Sequence, residues 1–199
     1  MNSEMSLPMR FLLWSAWPLL LAPLTILLHE LGHFLTAMAL GFEEAQLHFS
    51  HVEFDEAGGR SPAQVGLVGL AGPLVTAAQI LAAMAFHRLR PESRWPYALA
   101  VAAASRFVVG VPYTIIGLIV RARGERLQPP AFDEFRAGEA LGWSGDLLLG
   151  LSSLMVLVTL VWLARALPRG ERSAAWPGLL LGTIGGWALW FSAGPLILP

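Results

Sequence analysis

Cysteine is absent from this chain of 199 residues, and so is lysine. Without thiols there is no disulfide, no thiolate metal site and no cysteine nucleophile. Without lysine, all 13 basic residues are arginine, which together with the Ala, Leu and Gly richness suggests GC-rich bacterial coding. Charge of either sign is scarce, 14% of residues against roughly a quarter in soluble domains. The net charge of −1 removes the electrostatic case for a nucleic-acid partner. What is abundant is apolar: 55% of residues are hydrophobic and the mean hydropathy is +0.59. That balance points to an integral protein of a lipid bilayer, with a bacterial inner membrane as the expected location.

Long apolar runs bear this out in detail. Phe11 to Leu40 exceeds the roughly 20 residues a span requires. It starts like a signal peptide, but it is too long for one and is expected to be retained. Pro18 and Pro23 predict that it is kinked, or broken into an entry segment and a second helix from about Leu24, and Gly41 ends it. Further spans are expected at Pro62 to Phe86, Tyr97 to Val120 (interrupted by Arg106, Gly110 and Pro112), Leu147 to Ala166 and Trp176 to Leu198. Gly66, Gly69 and Gly72 recur every third residue in the second, a spacing that lets helix backbones approach closely. Between the first two spans, Leu47, Phe49, Val52 and Phe54 alternate imperfectly within an acidic stretch and Gly58-Gly59 offers a turn, predicting a short strand or hairpin at the membrane face. The expected fold is therefore an all-α polytopic membrane protein of five to six transmembrane helices with a short β element, one domain over residues 1–199. Seven arginines face one side and five the other, so the charge asymmetry leaves the orientation open. The eight tryptophans fall mostly near span ends, where they read as interfacial anchors.

His29-Glu30-Leu31-Gly32-His33 lies inside the first apolar run. Two histidines four residues apart share one face of a helix and suit two ligands of a single Zn²⁺. A carboxylate directly after the first is placed to act as general base on water activated by that ion. The alternative is a pair of satisfied core histidines with a capping Glu30. Burying three such groups without partners costs on the order of several kcal/mol, so the metal site is the favoured reading. A third ligand is needed. Position 39 is alanine, which excludes a metzincin-type third histidine six residues after His33. His48 and His51, in the acidic stretch, read as solvated polar residues. Asp133 is the best candidate: it follows Pro129-Pro130, and the first and third spans leave the membrane on the same side, so this segment can fold back to the histidines. Glu134 and Glu139 are reserves, and a solvated acidic loop is the alternative. Arg106 either pairs with a carboxylate in the bundle, binds substrate, or snorkels to the surface.

These features resemble the site-2 protease family of intramembrane zinc metalloproteases. His29-Glu30-Leu31-Gly32-His33 matches the family motif in full, Ala71-Gly72-Pro73 matches its Gly-Pro element, and Asp133 stands where the family has a carboxylate ligand. The likeness covers roughly residues 20–145, with additional helices over 146–199. Phe132-Asp133-Glu134 replaces the common Leu-Asp-Gly, and Thr76 replaces an asparagine three residues after the Gly-Pro element. The resemblance implies zinc held by His29, His33 and Asp133, Glu30 as catalytic base, and Gly72, Pro73 and Thr76 at the substrate or its oxyanion. The substrate it implies is a transmembrane protein segment, unwound before cleavage and held as an added strand along residues 46–54. A catalytically inactive relative that binds a membrane partner is the alternative, followed by a metal transporter, which would need further ligands within other spans. Substrate identity and oligomeric state stay open at this level.

Overall fold

The computed structural model describes residues 5–55, 59–125 and 131–198. In chain order it holds α1 (Leu7–Ala39), β1 (Gln46–Leu47), β2 (Val52–Glu53), α2 (Pro62–Leu89), α3 (Trp95–Val108), α4 (Gly110–Ala122), α5 (Asp133–Ala140), α6 (Gly145–Ala166), a 3-10 turn (Arg169–Glu171) and α7 (Arg172–Ile197). Among the described residues, four helical segments are long and apolar enough to cross a membrane: α1, α2, α6 and the turn with α7. The α3–α4 pair, bent by 42°, makes a fifth if counted as one span. The interruption expected at Gly110 is this bend.

The expected break in the first span does not occur. α1 runs unbroken through Pro18 and Pro23, so among the described residues the candidate spans number four, or five with the bent pair, and not six. A proline withholds the amide that would bond the carbonyl four residues earlier. For Pro23 that carbonyl belongs to Leu19, and Gly186 of α7 is pressed against it: a Cβ built there would lie 2.7 Å from the Leu19 oxygen. Gly178, Gly182 and Gly186 recur every fourth residue of α7 and meet Trp14, Ser15, Pro18, Leu19 and Ala22 of α1. Small residues at that interval let two backbones touch and gain dispersion along the shared face. The glycine pattern of the last span carried this signal, and the sequence reading passed over it.

α3 occupies the centre, against α1, α2, α6 and α7, and its buried face is mostly alanine: Ala98, Ala100, Ala102, Ala103 and Ala104. At one end of the bundle Trp14 is buried, not interfacial. Its Nε1–H donates to Glu171 at 2.9 Å, and Arg94 pairs with the same carboxylate at 3.8 Å. At the other end, α1 stops at Gly41, whose φ of +73° belongs to the left-handed region that glycine adopts freely. The Arg60 guanidinium bonds the Gly41 carbonyl.

The short β element is a hairpin, with Leu47 opposite Val52 and Gln46 opposite Glu53. Its reversal lies at residues 48–51, closed by His48 N–H donating to the His51 carbonyl at 2.9 Å. Gly58-Gly59 is therefore not the hairpin turn; Gly59 has φ +79°, and Gly58 lies outside the described residues, as do Pro129 and Pro130. Phe49 anchors the reversal on α7, stacking edge-on against Phe191 at 5.9 Å while Trp190 Nε1–H donates to its carbonyl at 2.7 Å.

Gly182→Ala tests the α1–α7 seam, because the added Cβ would lie 2.6 Å from Pro18 Cγ. Overpacking of this kind costs about 1–3 kcal/mol, read as a fall in the thermal midpoint in detergent. Gly150→Ala, with nothing within 4 Å of its Cβ, should shift the midpoint the other way by roughly the 0.5–1 kcal/mol that removing a helical glycine contributes.

Candidate metal centre

His29 and His33 lie one turn apart on α1, both buried, and their rings are fixed from behind by α2. His29 Nδ1 is hydrogen-bonded to the Thr76 hydroxyl at 2.8 Å. His33 Nδ1 lies 2.7 Å from the Val68 carbonyl oxygen. A carbonyl only accepts, so the His33 proton is on Nδ1 and the Nε2 lone pair is turned inward. Second contacts of this kind set the tautomer and orientation of metal-binding imidazoles.

Asp133, the first residue of α5, supplies the third group. Its Oδ2 is 3.3 Å from His29 Nε2 and 3.5 Å from His33 Nε2, and the two Nε2 atoms are 3.1 Å apart. The three atoms form a nearly equilateral triangle of electron-pair donors. At this spacing an imidazole N–H can be shared among the three atoms, and the same three atoms can hold a metal ion. Partial burial pushes the Asp133 carboxyl up, but its contacts with the His29 and His33 rings outweigh burial and hold it well below the usual carboxylate range.

The folding-back of the segment after the third span thus happens, and of the three acidic candidates Asp133 meets the histidines. Glu134 is buried, and burial pushes its carboxyl up, toward the neutral acid. Glu139 accepts from the Gly145 amide at 3.1 Å, at the start of α6.

The glycine row of α2 explains how the elements come so close. Gly66 and Gly69 face α5, where a Cβ would meet Leu141 and Ala137. Gly72 faces the histidines: its Cβ would lie 2.7 Å from His29 Nε2 and closer still to His33 Nε2. Within the His-Glu-Leu-Gly-His motif itself, Gly32 lies against α2, 3.0 Å from the Ala71 oxygen by the same measure. Gly72, Pro73 and Thr76 are all buried, and the geometry gives Gly72 and Thr76 the task of seating the imidazoles.

Glu30 is buried beside the triangle. Arg106 NH2 donates to its Oε1 at 3.1 Å, and the guanidinium lies over the Trp187 ring, 5.9 Å from its centre. Arg106 thus pairs with a carboxylate inside the bundle, one of the roles expected for it. A cavity of about 780 Å³ opens onto this group, lined by Glu30, His33, Arg106 and Asp133 on one side and by Ser50, His51, Val52 and Phe54 of the hairpin on another. Sequence reasoning had no access to the Val68 carbonyl, since a main-chain group leaves no trace in residue identity. It also gave Arg106 no particular partner.

Comparison with family models, curated proteins and solved structures returns no match to this chain.

Gly72→Ala would drive a methyl group into the space both Nε2 atoms share. The expected result is a chain that still folds, by circular dichroism, but retains well under one equivalent of divalent metal after dialysis. Full metal content in that variant would show that the ion, if bound, does not use these nitrogens.

Proposed function

We propose that the chain is an intramembrane zinc metalloprotease of the site-2 protease kind, cutting peptide bonds in or near transmembrane segments of other proteins. It would lie in a lipid bilayer, with a bacterial inner membrane as the expected one. The observation that carries the reading is the donor triangle of His29, His33 and Asp133, 3.1–3.5 Å on each edge, with Glu30 beside it. Tetrahedral zinc with bonds of about 2.0–2.1 Å needs ligand atoms about 3.3–3.4 Å apart. Two imidazoles and one carboxylate are donors zinc accepts readily, whereas Mg²⁺ and Ca²⁺ take oxygen. Three protein ligands with an open fourth position is the catalytic pattern, not the structural one.

Bound zinc supplies Lewis acidity and lowers the pKa of water toward about 7. Thr76 and the Val68 carbonyl keep the imidazoles aimed at the ion. Glu30 takes a proton from the attacking water and returns it to the leaving amine. Arg106 holds one Glu30 oxygen, fixing the side chain and offsetting the cost of an ionised carboxylate in an apolar bundle. Apolar walls and helices keep bulk water away, which strengthens these charge interactions.

An unwound substrate would enter the cavity as an extended strand. With His48 and His51 paired by a hydrogen bond, the alternation of an antiparallel ladder turns the Val52 N–H and C=O outward. That edge borders the cavity and can take an added strand. A transport function is less well supported: among the described residues, the other cluster of potential ligands is on the hairpin, not within an apolar helix.

Reconstituted with a transmembrane reporter, wild type should cleave it. Glu30→Gln should lose at least about 10²–10⁴-fold in rate, the range general base catalysis supplies, with zinc retained. Cleavage persisting in Glu30→Gln sinks the protease reading. Retained partner binding without cleavage by wild type identifies the chain as a silent binding protein instead.

Val52→Pro removes the outward amide without touching the donor triangle. Slower cleavage at unchanged zinc content is expected, and an unchanged rate would eliminate strand addition as the mode of substrate capture.

A further inference from the structure

The hairpin carries a second cluster of donors, distinct from the buried one. His48 and His51 stand opposite one another at the end of the ladder, and Glu53 follows His51 by two residues. Residues two apart on a strand share a face, so all three side chains project from the same side of the hairpin. The two imidazoles are stacked nearly parallel, 4.6 Å between centres and 7° between planes. Glu53 Oε2 is 3.4 Å from His48 Nε2, and one donor atom from each of the three lies within 4.8 Å of the others. The His48–Glu53 edge already has the length of a zinc ligand edge, about 3.3–3.4 Å for bonds of 2.0–2.1 Å. His51 and Glu53 are exposed and can rotate to shorten the other two.

The scaffold under these groups is held firmly. Phe49, between the histidines in sequence, fits over Gly194 of α7, where a Cβ would lie 3.0 Å from its ring. Its carbonyl is tied to Trp190. The turn's position is therefore fixed by α7, so a metal ion would not have to order it on binding, and the entropic cost of assembly is reduced.

We propose that His48, His51 and Glu53 form a second divalent-cation site, of the zinc class, bridging the two strands of the hairpin. Two imidazoles and a carboxylate select a borderline transition ion over Mg²⁺ or Ca²⁺, and the exposed setting leaves its remaining positions to water. His51 also lines the cavity that holds Glu30 and His33. An ion here would pin the hairpin wall along which the proposed substrate strand lies, and it does not depend on that chemistry in order to bind.

The test is zinc content by mass spectrometry, on protein purified without a polyhistidine tag and dialysed against micromolar zinc. Wild type should hold two ions per chain, His33→Ala one, and the His48→Ala/His51→Ala double variant one. Equal content in wild type and the double variant overturns the hairpin site. One ion in wild type, lost in His33→Ala alone, does so while leaving the buried centre standing. One ion lost only in the double variant supports the hairpin site and removes the buried one. Glu53→Gln should weaken the hairpin ion at least by the roughly tenfold that loss of even an outer partner produces; unchanged affinity overturns the three-ligand assignment.

Discussion

His29 and His33 of α1 and Asp133 of α5 converge on one point, and that convergence is the constraint the surrounding helices satisfy. Three electron-pair donors within 3.5 Å of one another do not stay together unless the surrounding helices oblige them to. Here both imidazoles are restrained by an element other than their own. α2 grips the imidazoles through Thr76 and the Val68 carbonyl, and α5 delivers the carboxylate across the glycine row of α2. The closeness is made possible by what is missing. At Gly32, Gly66 and Gly72 a side chain as small as a methyl group would collide with a neighbour.

The same device operates on the far side of α1. Gly178, Gly182 and Gly186 bring α7 against the stretch that Pro18 weakens, and the Leu19 carbonyl that Pro23 leaves unpaired is covered by Gly186. α1 is thus clamped between α2, which seats the histidines, and α7, which keeps a proline-containing helix in one piece. α7 also holds the hairpin through Phe49 and lays Trp187 under Arg106. One helix without a residue in the donor triangle therefore bears on Arg106, the partner of Glu30, and on one cavity wall.

Charge placement follows a consistent rule. Two buried carboxylates have charged or N–H partners: Glu30 has Arg106, and Glu171 has Trp14 and Arg94. In an environment where an isolated charge is costly, such pairs keep the groups in place without demanding solvent. Glu30 differs from Glu171 in one respect, since it also borders the cavity that His33 and Asp133 line.

Much of the architecture was legible in residue order. Five apolar runs, the end of α1 at Gly41, the interruption near Gly110 and the hairpin after α1 follow from hydropathy length, glycine and alternation, all of which act over a few neighbouring residues. The pairing of His29 with His33 is equally local, because helical periodicity alone puts them on one face. What residue order left open was decided by contacts between segments distant in the chain. The choice of Asp133 over Glu134 and Glu139 depends on how α5 lies against α2. The continuity of α1 depends on α7, and the tautomer of His33 on a main-chain oxygen 35 residues away. Arg106 could be recognised as a costly charge in an apolar run, but its partner Glu30 is 76 residues distant. Periodicity reports which face a residue occupies; which other face it meets is set by the packing of whole helices, and no short-range pattern encodes that.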